Sequence, residues 1–405
     1  MASISGRPTT PEGRRGSSAA AEAEAADGPA VLIRAGDALA GGIIAALMEG
    51  DVERMRKFQK GLEKTGSSLL EAVAAAKPAG KVVDSLLHLA ARSVRYEACM
   101  YLIKDLHLDV NCAGEHGQTP IISAIYGIDS AANNSRKKKE SERIIELLLR
   151  RGADLNKTKP DGFAPLHAAT LKDSFDITKL LLAKGASVNA ICQSGTALHI
   201  AAESGTSMPV VQLLLDHGAD PSIANISELT ALHVAVNKDS FNIAKLLLAN
   251  GANINAFCQS GTVLHIAAEG GTSMSLVQLL LDQGADTSAT NSGGLTALHV
   301  AVMKESYYVA ELLLGKGADV DAACEKGTPL HIAAGRDSLK ILGLLLQNAA
   351  STDISDMTGR KAIEVAAISG NRDCVVMLFP LTSAIDDYQD WSIDGIMHAA
   401  KNDLS

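Results

Sequence analysis

The chain has 405 residues, 47% of them hydrophobic but only 3% aromatic, and a formal net charge of −9. A net acidic chain has no general attraction for phosphate backbones or anionic bilayers, which sets nucleic acid aside as a partner. No stretch approaches the ~20 apolar residues of a bilayer span, which sets direct membrane insertion aside as well.

Residues 1–40 are rich in Ala, Gly, Ser and Glu and carry no periodicity that could bury a face, so a disordered segment is expected. Glu12, Glu22, Glu24 and Asp27 argue against a transit peptide despite Arg7, Arg14 and Arg15, and the expected location is cytoplasmic or nuclear. Residues 41–81 read as a divergent N-terminal capping repeat. Residues 82–384 read as an array of nine units, with the first two and the last irregular because end units lose the pattern that neighbours impose. An insertion at about 129–140 separates Ile122 of the second unit from its leucines and contains Arg136, Lys137, Lys138 and Lys139. That run reads either as a nuclear-import signal or acidic-partner contact, or as a solvated loop.

Within the array one motif keeps returning: Thr, a small residue or Pro, Leu, His, an apolar residue, Ala. Its histidines are His167, His199, His233, His265, His299 and His331, spaced 32 or 34 residues apart. Some 19 residues beyond each His, three leucines precede Gly-Ala, as in LLLAKGASVNA. Two motifs per unit imply two helices per unit. Thr is the expected N-cap of the first helix, Pro165 and Pro329 sit where a missing N–H costs nothing, and Gly stops the second helix in a left-handed conformation. The segment after that Gly reads as a β-hairpin. Residues 190–255 align with 256–321 without a gap, so the units form alternating pairs with a 66-residue period. Cys99, Cys112, Cys192, Cys258, Cys324 and Cys374 form no CxxC pair and read as reduced, structural thiols.

Gly, Thr-Pro-Leu-His, Ala-Ala, Leu-Leu and Gly-Ala-Asp in this order resemble the ankyrin repeat, over about residues 82–379. The resemblance implies an all-α, ankyrin-repeat solenoid of stacked helix pairs with projecting β-hairpin loops. It implies other proteins as partners, held in a concave groove lined by hairpin tips and the exposed ends of the first helices. Comparing the units with one another, the positions after Ala-Ala or Ala-Val vary: Thr170, Glu203, Asn237, Glu269 and Met303, with Lys238, Lys304 and Arg336 one residue further on. The hairpin tips add Asp161, Gln193, Glu228, Gln259, Glu325 and Lys326. Together they form an expected mixed-charge groove that selects a partner by complementary charge. The expected role is a scaffold or adaptor; the alternative is a nuclear regulator that sequesters a transcription factor or other signalling partner.

The tail, 385–405, holds the only Trp, Trp391, either a partner-binding residue or a cap on the final helices. Its DWSIDGIM resembles the linker of plant proteins that join ankyrin to tetratricopeptide repeats. No tetratricopeptide unit follows in this sequence, which implies a shortened relative. Asp386, Asp387, Asp390 and Asp394 read as a solvated acidic surface. The repeated histidines lie in different layers, about 8–10 Å apart, too far to share a zinc ion bound at about 2 Å. No GxSxG, phosphate loop or HExxH occurs, so neither a cofactor, a small-molecule substrate nor an enzymatic role is expected.

Overall fold

The computed structural model describes residues 38–64, 69, 85–128, 135–270, 272–385, 388 and 390–402. The expectations for 1–37, for most of 65–84, for 129–134 and for Asp386 and Asp387 lie outside the described residues. The chain forms two compact units, one of residues 1–46 and 53–79, the other of residues 47–52 and 80–405. In the first, Ile43, Ala46, Met55, Leu62 and Leu69 are buried. Gly42 lets the Phe58 ring approach so closely that a Cβ there would lie 2.9 Å from it.

Among the described residues the second unit holds nine helix pairs. They run from Leu86–Arg92 with Tyr96–Lys104 to Ala362–Ile368 with Arg372–Leu378. The first helix of a pair is short, as in Ala197–Ser204, and buries Ala197, Leu198, His199, Ile200, Ala201 and Ala202. Its small residues let neighbouring first helices approach closely. They pack together more extensively than the nine-residue second helices do, so the row of first helices forms the inner side of the array's curve. The second helices turn their leucines toward the stack; in Met208–Asp216, Val210, Val211, Leu213 and Leu214 are buried.

The second helices of the second to eighth pairs stop in the same way. Gly218 takes φ +82°, its N–H donates to the Leu215 carbonyl and that of Ala219 to the Leu214 carbonyl, at 2.9 and 3.0 Å, a Schellman-type end. In the eighth pair Ala349 stands in this place at φ +63°, a strained exception for a residue with a Cβ.

The connecting loops contain isolated antiparallel bridges, such as Cys192 with Gly195 and Ala224 with Thr230. No strand occurs among the described residues, so the expected β-hairpins are turns pinched by one bridge before the next helix begins. An Asn or Asp carboxamide or carboxylate ties several of the loops to the next, whereas Ser222 and Ser288 in the equivalent places bond Asp220 and Asp286 of their own loops. Asn189 Oδ1 accepts the Asp220 N–H at 2.9 Å, Asn255 Oδ1 that of Asp286 at 2.9 Å, and Asp321 Oδ1 that of Ser351 at 2.9 Å.

Residues 136–139 are helical rather than looped: they open the 16-residue helix Ser135–Arg150. Lys138 reaches Asp176 of the next pair at 2.6 Å, and the Arg143 guanidinium lies 4.1 Å from the centre of the Tyr96 ring. At the far end, helix Ile393–Asn402 packs on the last pair, with Arg372 and Asp394 paired at 2.7 Å. No helix among the described residues is long and apolar enough to cross a membrane.

Candidate functional site

Five of the six repeated histidines pin two layers. In the fourth pair the Thr196 N–H donates to His199 Nδ1 at 3.1 Å. An amide can only donate, so Nδ1 is the accepting nitrogen and the ring proton sits on Nε2. That N–H donates to the Leu229 carbonyl of the next loop at 2.9 Å. His167 reaches Ala190 at 3.0 Å, His233 Ala256 at 3.1 Å, His265 Leu295 at 2.9 Å and His331 Arg360 at 3.0 Å in the same way. His299 Nε2 is buried without such a bond. Burial pushes the pKa of all six rings down, that of His167 to about 4, so they stay neutral and keep this tautomer.

The expected N-cap role of Thr is largely taken by the ring. Thr196, Thr230, Thr262 and Thr328 make no side-chain cap; their hydroxyls lie 2.8–3.0 Å from the His Nδ1 instead. The His does the back-reaching that Glu does in a capping box. Where no later repeat offers a carbonyl, Glu itself appears: Glu364 Oε2 accepts the Lys361 N–H at 2.8 Å.

This scaffold sets out two rims. Before each first helix lies a loop tip, and at its C-terminal end lies the turn into the second helix. A helix of seven or eight residues separates the rims by about 10–12 Å, over a floor of Ile200, Val234, Ile266, Val300 and Ile332, all buried but the half-buried Val234. At the turn rim Glu203, Asn237, Lys238, Glu269, Lys304 and Arg336 are exposed and Met303 is half-buried. Arg336 Nε lies 4.0 Å from Glu305.

Thr170 does not belong there. It is fully buried and its hydroxyl donates to the Leu166 carbonyl at 3.0 Å. Counted from His, Thr170 holds the inward place of Ala202 and Val236, so the outward position of that unit is Leu171, which is exposed. Helical periodicity decides this, because a shift of one residue turns a side chain by about 100°.

At the loop rim Gln193, Glu228, Gln259, Glu325 and Lys326 are exposed. Asp161 is half-buried and locally engaged: its carboxylate accepts the Phe163 N–H at 3.0 Å and faces Lys159 at 3.7 Å. Sequence reasoning missed the apolar tips beside these polar residues, Ile191, Ile226, Phe257 and Met357, which are 52%, 74%, 55% and 76% exposed. The available signal was a bulky apolar residue in a loop, away from both helical motifs. Trp391 stands apart from both rims: it is half-buried, its ring centre 5.8 Å from Phe379 and 5.9 Å from Tyr388.

The arrangement supplies surfaces rather than reacting groups. Burial raises the pKa of Cys99 and Cys374 to about 12 and that of Cys192, Cys258 and Cys324 in the same direction, away from the thiolate a nucleophile needs. Among the described residues no three His, Cys, Asp or Glu side chains converge as metal ligands.

The family model described as "Ankyrin repeats (3 copies)" matches residues 131–225, 192–258, 232–324 and 320–388. No curated protein matches the chain. These matches run over more than half of the sequence, through the same helix pairs that the His and Asn ladders join, and the chain therefore belongs to the ankyrin-repeat family.

Proposed function

We propose that this protein is a scaffold or adaptor that binds partner proteins across the row of first helices, between the two rims. Ankyrin repeats generally mediate protein–protein interaction, and the family is typically non-enzymatic. The observation that carries the reading is a contrast within each unit. Positions that join layers repeat from unit to unit, while the exposed rim positions change in charge and size. A surface selected only for solubility needs no such change, whereas a surface selected for one partner does.

The test is affinity capture from cells with the full chain and with a variant carrying Lys238→Glu, Lys304→Glu and Arg336→Glu. Loss of specific partners supports the reading. Unchanged capture sinks it, and Trp391→Ala then tests the tail as the recognition element.

A second reading, a nuclear regulator that sequesters a signalling partner, draws support from Arg136, Lys137 and Lys139, which are exposed at the start of a helix. Replacing these three by Ala should reduce nuclear accumulation; unchanged localisation removes this reading.

A further inference from the structure

Five of the loops that lead into first helices close with the same turn. The N–H of a residue with positive φ donates to the carbonyl three residues earlier: Gly117 to Gly114, Gly162 to Lys159, Glu228 to Asn225, Gly294 to Asn291 and Gly359 to Asp356, at 2.9 to 3.0 Å. Glycine holds the position in all of them except the loop before the fifth first helix, where Glu228 sits at φ +60°. Glycine enters this left-handed region without steric cost, whereas a Glu Cβ is strained there. In the same turn Ile226 is 74% exposed, while the turn of the seventh pair has Ser292 in that place.

The turns of the fifth and seventh pairs are built alike. Asn225 Oδ1 accepts the N–H groups of Ser227 and Leu229 at 2.9 and 3.1 Å, and Asn291 Oδ1 those of Gly293 and Leu295 at 2.9 and 3.1 Å. Ser-Gly-Gly is what such a turn favours, and Ile-Ser-Glu is not. Duplication of a pair accounts for residues that the copies share, not for those that differ. An exposed Ile and a strained Glu in one turn are local inconsistencies of the kind that accompany function. The His ladder fixes their surroundings: it holds the carbonyls of Ala190, Leu229 and Ala256, which adjoin Ile191, Glu228 and Phe257 in three consecutive loops. Ile191 and Phe257 are more than half exposed. Residues 185–196, 218–230, 251–262 and 284–296 contain no Lys or Arg. Of the acids in these loops, Asp220 and Asp286 accept the hydroxyls of Ser222 and Ser288 at 2.6 Å. The Glu228 carboxylate is exposed and meets no cation among the described residues.

We propose that these three loop tips hold a segment of a partner protein that sets one basic side chain against Glu228, between bulky apolar side chains that cover Ile191, Ile226 and Phe257. The inference rests on the partner-binding reading above and adds the place of contact on the loop rim and the chemistry of the occupant. Charge complementarity fixes its centre, because an unpaired carboxylate in a stretch without cations attracts a basic group and turns away an acidic segment. The apolar tips on either side gain from leaving water only against apolar groups. The Glu that strains its own turn thereby selects the partner.

The test selects a display library of short random peptides on the full chain and measures the enriched peptides against two variants. Ile226→Ser with Glu228→Gly installs the turn residues of the seventh pair, and Glu228→Gln removes only the charge. Expected are peptides with Arg or Lys flanked by bulky apolar residues, bound about tenfold more weakly by either variant. The first variant should also unfold at a higher temperature than the native chain, because the strain at Glu228 is relieved. A thermal midpoint that falls together with binding would mark Glu228 as a structural residue and overturn the proposal. Enriched peptides without a basic residue, equal affinity for the native chain and both variants, or no enrichment at all overturn it as well. If the peptides fail in this way but cellular capture still depends on Lys238, Lys304 and Arg336, the tip contact is wrong and the groove reading stands. If capture is also indifferent, both fall.

Discussion

At the residue scale the structure turns on what each buried polar atom meets. Wherever His follows Thr by three residues, ring and hydroxyl satisfy one another, as in Thr328 with His331 at 2.8 Å. The second unit has Ile122 in place of His, and there the Thr119 hydroxyl is buried with no partner. Replacing Thr119 by Val should therefore stabilise the fold by about 1 kcal/mol, whereas Thr328→Val should cost about 1 kcal/mol. Urea unfolding of the two variants checks the opposite signs. The irregularity at Ile122 was legible in the sequence; that it orphans Thr119 was not, because the hydroxyl's partner depends on ring orientation. Thr170 makes the same point. Its neighbours Ala168 and Ala169 suggested an outward position, but the turn of the helix places it inside.

At the element scale the loops and helix ends differ in how much a change costs. Gly218 needs φ +82° but has nothing near a Cβ, so Gly218→Ala should cost about 1–2 kcal/mol through backbone strain alone. Gly195 takes φ +108°, and a Cβ there would lie 2.6 Å from the His199 ring. Gly195→Ala should cost more than about 3 kcal/mol, because it combines strain with displacement of the ring that ties this layer to the next. Thermal denaturation of the pair distinguishes them, and equal losses would show that the ring moves freely. The positive run at 136–139 suggests a signal, a partner contact or a solvated loop, and from Ser135 the segment forms helix. Lys, Arg and Glu are good helix formers, and the helix's own buried Ile144, Ile145 and Leu148 anchor it.

At the scale of the whole molecule six neutral rings make stability depend on acidity. Each His has a folded pKa below its ordinary 6.5, so the unfolded chain binds protons first as pH falls. Stability is full above about pH 6.5 and declines as pH falls toward the folded values, by up to about 1.4 kcal/mol per pH unit for each ring. Carboxylates held low, such as Asp353 at about 2 beside Lys361 and Ser383, keep their stabilising effect through this window and lose it only as pH falls below the usual carboxylate range. Urea midpoints measured from pH 7.5 to 4.5 should fall steeply across this window, and His265→Gln should lessen the slope by about one proton. A flat profile would contradict the buried, neutral ladder. Because each layer is held by its neighbours, Leu214→Asp should cost more than about 4 kcal/mol by burying an unpaired charge. It should also split unfolding into two transitions, visible by hydrogen exchange in the flanking units.

The repeat period, the two helices per unit, their stop signals and the 66-residue alternation were determined by sequence alone, because each depends on residues close together in the chain. Tertiary structure decided what the repeated side chains do. The carbonyls that receive the His Nε2–H groups lie 23 to 30 residues away, in the following loop, and the amides that Asn189, Asn255 and Asp321 hold lie about as far. It also decided which rim residues are free, separating the exposed Glu203 and Lys238 from the buried Thr170 and the engaged Asp161. Hydrogen bonding and exposure are properties of neighbours in space, and in a stack of repeats those neighbours belong to the next unit.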